Sequence, residues 1–176
     1  MTSDWCREIP SPINRLRGRS QNDANQQSDS GEAKAGHPFL FVQVALINQP
    51  AEKQKMLQAL QAFARDHRLP QKVLQAADLA LEEHLTNVMK YGFDDAQPRE
   101  ILVRLEIIDG EFQIEVEDDG KPFNPLEHPE PDLNLPLSER PLGGLGIHLI
   151  RKFMDELGYR REGGRNVFQM RKHVGR

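Results

Sequence analysis

The sequence predicts an α+β two-layer sandwich, a mixed but mostly antiparallel sheet with three helices on one face. Three observations lead there. Asp109-Gly110 and Gly163-Gly164 each separate two runs of strand character, the local signature of a β-hairpin. Three other segments repeat apolar residues at the 3- and 4-residue spacing of an amphipathic helix. The resulting order β, α, α, β, β, long loop, α, β, β makes hairpin-linked strands share helices on one side, which is a two-layer arrangement.

Taken in order, Phe39 to Ile47 is rich in aromatic and β-branched residues and reads as a strand. Pro50 opens a helical pattern with Met56, Leu57, Leu60 and Phe63 on one face, ending before Pro70. Pro70 starts a second helix, with Leu74, Ala77, Leu81, Leu85 and Val88 as its apolar stripe, and Gly92 closes it. Ile101 to Ile108 and Glu111 to Glu117 form a hairpin. In its second strand Phe112, Ile114 and Val116 alternate with polar residues, which predicts one buried and one wet face. Residues 119–142 lack any period and carry six prolines; a structureless loop of that length inside a compact domain is usually functional. Gly143-Gly144 then lead into a third helix running through about Leu157, and Tyr159 to Arg161 pairs with Asn166 to Met170 in a final hairpin.

The chain has 176 residues, one domain's worth with a tail. In residues 18–36 the only apolar side chains are Ala24, Ala33 and Ala35, too few to offset the entropy of ordering them. Ahead of them Trp5, Ile9 and Ile13 fall at helical spacing, but Pro10 and Pro12 forbid a regular helix interior. Residues 1–37 are therefore expected to be a flexible arm and residues 38–176 the domain. A net charge of -4 argues against a nucleic-acid protein with a broadly basic surface. The longest apolar stretch is nine residues, interrupted by Gln43, far short of the roughly 20 a membrane helix needs. Asp4 and Glu8 sit where a signal peptide would be basic and apolar. The single Cys6 supports neither an internal disulfide nor a multi-cysteine zinc site. The expectation is a cytoplasmic protein that engages neither membrane nor nucleic acid directly.

Three features could do chemistry. On the second helix, at roughly 100° per residue, Ala76, Ala80, Glu83 and Asn87 share a stripe away from the apolar one. Small residues followed by a carboxylate and a carboxamide suit a flat ligand; alanines packed on a neighbour beside a solvated Glu and Asn would give the same pattern. Thr86 and His84 flank the pair and read as supporting or surface residues. The run Glu117-Asp118-Asp119-Gly120 ends a strand, where a carboxylate can accept a hydrogen bond from an exocyclic amine and a glycine permits close approach; an acidic turn looks alike. Gly143-Gly144-Leu145-Gly146 runs into a helix, whose N-terminal N–H groups attract phosphate. It is neither a Walker A loop nor the dinucleotide fingerprint, and the protein-kinase signatures are absent.

In this order, with a proline-rich loop between the second and third features, the chain resembles the histidine-kinase-like (GHKL) ATPases. Glu83-His84-Leu85-Thr86-Asn87 matches their N box, Asp118-Asp119-Gly120-Lys121-Pro122-Phe123 the next box, and Gly143-Gly144-Leu145-Gly146 the last. Within that superfamily Pro141 to Ile150, with Asn166 in the last hairpin, is similar to the small bacterial anti-sigma regulatory factors that act as serine-protein kinases. The resemblance covers about residues 39–172. It implies ATP as phosphoryl donor with Mg²⁺ held by Asn87, and Glu83 as general base. It also implies Asp118 on the adenine amino group with Gly120 beneath the base, Phe123 beside the nucleotide, and Gly143, Gly144, Leu145 and Gly146 at the phosphates. Residues 119–142 would be the ATP lid, and Ala76 and Ala80 the pocket floor. The implied partners are a STAS-domain anti-sigma-factor antagonist, a sigma factor or other regulatory target, and a second copy in a homodimer. Leu142 stands where many superfamily members have glycine, as does Pro122. The alternative is a non-catalytic module that binds ATP to order a partner surface; Glu83 favours catalysis, because a pure binder needs no carboxylate there.

Overall fold

The computed structural model of the chain describes residues 41–129 and 145–175. Its elements are β1 (Phe41–Ile47), α1 (Glu52–Asp66), α2 (Gln71–Tyr91), β2 (Glu100–Ile108), β3 (Glu111–Asp118), α3 (Leu145–Phe153), β4 (Glu156–Glu162) and β5 (Arg165–His173), with one 3-10 turn at Pro125–Glu127. The strands form a single sheet in the order β1-β2-β3-β5-β4. Every pairing is antiparallel, so the mixed component expected from the sequence is not found among the described strands. The expected N-terminal arm lies outside the described residues.

Both hairpins turn as their dipeptides require. Asp109 and Gly110 have φ of 52° and 81°, and Gly163 and Gly164 have 59° and 82°, the positive pair that a type I′ turn needs. Alternate residues of four strands (Val44, Leu46, Ile101, Val103, Leu105, Phe112, Ile114, Val116, Phe168, Met170) point to one side. They form one core with Met56, Leu60 and Phe63 of α1, Ala77, Leu81 and Leu85 of α2, and Ile150 of α3. The helices thus share one face of the sheet, as the element order implied. No helix among the described residues is long and apolar enough to cross a membrane.

The structure corrects two element readings. Helix α3 ends at Phe153 rather than near Leu157. Met154 N–H still reaches Ile150 O at 2.9 Å, but Asp155 N–H turns to Arg171 O at 2.9 Å, and the Asp155 carboxylate accepts from Lys172 Nζ at 2.6 Å and His173 N at 2.8 Å. Leu157 belongs to β4, opposite Met170. It packs against the core there, an inward position in either period, so spacing alone carried the helix through it. Nor is the outer face of β3 wet: Gln113, Glu115 and Glu117 are all buried, Glu115 to 1% exposure. Glu115 Oε2 accepts from Gln169 Nε2 at 2.6 Å and pairs with Arg160 at 3.2 Å, Glu117 pairs with Arg165, and Gln113 Oε1 accepts from Arg171 Nε at 3.1 Å. Arginines from β4 and β5 satisfy polar groups that binary alternation assigns to solvent.

Candidate functional site

The end of α2 and the end of β3 meet at two glycines. Gly92 caps α2, its N–H reaching Val88 O at 2.8 Å, and its own carbonyl accepts from Lys121 N at 2.7 Å. A Cβ on Gly120 would come within 2.5 Å of that Gly92 oxygen and 2.7 Å of Asp118 Oδ1. The contact fixes the strand-end carboxylate beside the last turn of α2. Beyond the glycines a cavity of about 390 Å³ opens, lined by His84, Asn87, Val88 and Tyr91 of α2, Asp118 at the end of β3, Ile147 of α3, and Tyr159, Asn166 and Phe168 of the β4–β5 hairpin. Pro122, Phe123, Pro125 and His128 also line it.

Asn87, Asp118 and Phe123, named apart in the sequence, therefore face one space. Glu83 is half-buried and not part of the lining; it abuts α3, where a Cβ on Gly146 would collide with its Oε2. Gly146 is in that sense fitted to Glu83 before any ligand is considered. Leu145 is exposed at the start of α3, while Gly143 and Gly144 lie outside the described residues. Of the expected lid, residues 119–129 are described and include the 3-10 turn. Asn124 Oδ1 accepts from Leu126 N at 3.0 Å to open that turn, and Arg151 Nη2 of α3 donates to Pro125 O, Leu126 O and His128 O at 3.2, 2.7 and 3.0 Å.

Ala76 and Ala80 are not the floor expected of them: they are buried in the core cluster and do not line the cavity. His84, read from the sequence as a supporting or surface residue, is 4% exposed and lines it. On the helix it falls between the apolar and the small-residue stripes, so it is enclosed from both sides. Its ring lies 4.6 Å from that of Phe168, its Nε2 has no partner, and burial pushes its pKa down to about 4.

Sequence reasoning missed the residues that orient Asp118. Register places Asp118 opposite Asn166 in the β3–β5 ladder. Asp118 Oδ1 accepts from Gly120 N at 2.8 Å and from Asn166 Nδ2 at 2.9 Å. Asn166 Nδ2 also donates to Lys121 O at 2.9 Å, and its Oδ1 accepts from Tyr159 Oη at 2.9 Å and Arg161 Nη1 at 2.6 Å. Burial raises the Asp118 pKa above the ordinary carboxylate value, against the hydrogen bonds from Asn166 and Gly120, which favour the ion. Asn166 had been noted only as part of the subgroup likeness. No spacing rule joins it to Asp118, because β3 and β5 are not consecutive.

These residues fit a purine nucleotide and a divalent ion. The cavity lies in the size range of small-molecule sites, mostly apolar with a few convergent polar groups. Its carboxylate suits an amino group, and the Asn87 carboxamide oxygen is the hard donor that Mg²⁺ takes alongside phosphates.

A cavity of this kind, lined from α2, α3 and the strand ends of a helix-covered antiparallel sheet, fits a nucleotide-binding domain of the ATPase class. Comparison with known proteins agrees: the chain belongs to the histidine kinase-like ATPase domain family, whose model matches residues 47–172. It is similar to the serine/threonine-protein kinase BtrW of Bordetella bronchiseptica, at 30% identity over 95 residues covering 54% of this chain and 67% of that protein. It is also similar to the anti-sigma F factor of Caldanaerobacter subterraneus subsp. tengcongensis, at 30% over 118 residues (65% of this chain, 80% of that protein). A Clostridium botulinum anti-sigma F factor matches at 34% over 85 residues, where the match spans 44% of this chain and 54% of the relative. The fold is shared with the crystal structure of the RsbU and RsbW domains of a Mycobacterium tuberculosis protein, at a TM-score of 0.56 and 13% identity over 77% of this chain and 32% of that one.

Proposed function

We propose that the chain is an ATP-dependent serine/threonine-protein kinase and anti-sigma regulatory factor of a partner-switching system. In this reading it acts in the cytoplasm as a homodimer, phosphorylates a STAS-domain antagonist, and reversibly sequesters a sigma factor or another regulatory protein. The observation that carries the reading is the convergence of Asn87 and Asp118 on one cavity, with Glu83 against Gly146, the residue before the cavity-lining Ile147. Likeness to proteins named as a kinase and as anti-sigma factors supports it.

Asp118 accepts a hydrogen bond from the adenine amino group, Gly120 lets the base approach the strand end, and Phe123 covers its outer side. By the family likeness, the backbone N–H groups of Gly143, Gly144, Leu145 and Gly146 would bind the phosphates. Asn87 would hold Mg²⁺, which would supply positive charge to offset that of the phosphates. Glu83 accepts the proton of the acceptor hydroxyl as its oxygen bonds to the γ-phosphorus and ADP leaves. The phosphoryl group brings about -1.5 to -2 charges to the antagonist surface, which repels the antagonist and frees this protein for its other partner.

The test is the intact mass of each STAS-domain protein of the same genome after incubation with this protein and Mg·ATP. A gain of about 80 Da, one phosphoryl group on Ser or Thr, is expected for one of them, and is expected to vanish with Glu83→Gln and with Asn87→Ala. Tight ATP-dependent binding without any mass gain would favour a non-catalytic module instead.

A further inference from the structure

We infer that Arg151 of α3 is a positioning residue for the nucleotide: its guanidinium holds residues 122–129 in place as one wall of the cavity and so sets how long a bound nucleotide stays. The inference rests on the nucleotide reading above and extends it to a residue that does not itself line the cavity.

Hydrogen-bond capacity shows why an arginine is needed there. Pro122, Pro125 and Pro129 have no N–H to donate. The amides of Leu126, Glu127 and His128 are spent within the segment, on Asn124 Oδ1 at 3.0 Å, Asn124 O at 3.2 Å and Pro125 O at 3.4 Å. Asn124 Nδ2 is spent there too, on Glu127 Oε1 at 3.0 Å. Carbonyl oxygens are what the segment has left to offer the rest of the domain, and a guanidinium, which only donates, is their complement. Among the described residues, the bonds from Arg151 Nη2 to Pro125 O, Leu126 O and His128 O are the only hydrogen bonds joining residues 122–129 to the rest of the domain. Two hydrogens on Nη2 serve three oxygens, so the grip is shared across the whole turn.

Placement on α3 makes that grip bear on the cavity. Ile147 and Arg151 are four residues apart and therefore share one face of the helix. Ile147 lines the cavity, and one turn further on Arg151 holds the segment that supplies Pro122, Phe123, Pro125 and His128 to the same lining. Of those four only Pro125 is buried, and Phe123 is 44% exposed. So little apolar burial leaves the segment weakly held by packing. Its other fixed point is Lys121, whose N–H reaches Gly92 O and whose carbonyl accepts from Asn166 Nδ2. Phe123 thus sits between two anchors, and loss of Arg151 frees one of them.

Two measurements on the full chain test this. One is amide hydrogen exchange of residues 123–128 without nucleotide. The other is the release of a fluorescent ATP analogue, N-methylanthraniloyl-ATP, chased by unlabelled ATP in the presence of Mg²⁺. Arg151→Met removes the donors, and is expected to speed both the exchange and the release by about 10-fold, the worth of one hydrogen bond to a charged group. Exchange in α2 and β3 is expected to stay as in the wild type. Arg151→Lys keeps a cation with three donors and is expected to bring both rates back to within about threefold. Phe123→Ala is expected to speed release by about 10-fold as well. Because both changes remove the same wall, the double variant is expected to release no more than about twofold faster than either alone. A merely structural role for Arg151 would multiply the two factors to about 100-fold. That result, or exchange or release unchanged in Arg151→Met, overturns the inference and leaves the nucleotide reading standing. A wild type that retains no analogue ends both. Should Arg151→Met fail to fold, Arg151→Gln is judged on the same criteria.

Discussion

His84 is buried next to Phe168 without a partner for its Nε2, and its pKa falls from 6.5 to about 4 because burial disfavours the charged ring. The unfolded chain takes up this proton first as pH drops. The native state is thus fully favoured above pH 6.5 and loses stability as pH falls from 6.5 towards 4, by about 3 kcal/mol in total. Asp118 acts oppositely, since its raised pKa lets the folded state gain protons. The difference between wild type and His84→Leu in urea unfolding across pH 4 to 8 therefore isolates the histidine, and most of that slope is expected to disappear in the variant. At Gly146 the proposed function makes the expected consequence catalytic. Gly146→Ala sets a methyl group against the Glu83 carboxylate and is expected to slow phosphoryl transfer by about 100-fold, with a smaller change in ATP affinity, in a single-turnover assay.

Between elements, the Gly92–Gly120 contact ties the end of α2 to the end of β3. Gly120→Ala would drive a Cβ into Gly92 O and Asp118 Oδ1, so thermal stability and ATP affinity are expected to fall together, affinity by more than about tenfold. Gly110→Ala is the contrast: it meets no atom within 4 Å but holds φ at +81°, and is expected to cost about 1 kcal/mol in chemical unfolding while leaving nucleotide affinity unchanged. Elements governed by local rules were legible in the sequence. Asp109-Gly110, Gly163-Gly164 and the α2 stripe depend on neighbours a few residues away. The end of α3 was not legible, because it is set by Asp155 bonding to Lys172 and His173 across the sheet. Ala76 and Ala80 share a helical stripe with Glu83 and Asn87, yet the pairs meet different surroundings, core for the first and the site for the second.

Over the whole molecule, the candidate site draws on α2, β3, α3 and the β4–β5 hairpin, and only residues recognised by motif could be named beforehand. Asn87, Asp118 and Gly146 were, and Asn166 only as part of the family likeness; its bond to Asp118, and the support from Tyr159 and Arg161, act through a strand pairing that no periodicity encodes. The buried outer face of β3 escaped notice for the same reason, since Arg160, Arg165 and Arg171 arrive from strands far along the chain. The domain division expected from composition makes a further prediction: a chain beginning at Pro38 keeps the wild-type melting temperature within a few degrees and the same ATP affinity, measured by thermal melt and titration.

The strand order also bears on synthesis. β3 ends at Asp118, while its central partner Asn166 follows 48 residues later, roughly 2–10 s at ribosomal rates of about 5–20 residues per second. Through that interval the β1-β2-β3 part of the sheet presents a bare β3 edge to the cell, the kind of template on which another nascent chain can add a strand. The same delay means that a polysome-bound chain has made the Asp118 carboxylate before the Asn166 side chain that holds it.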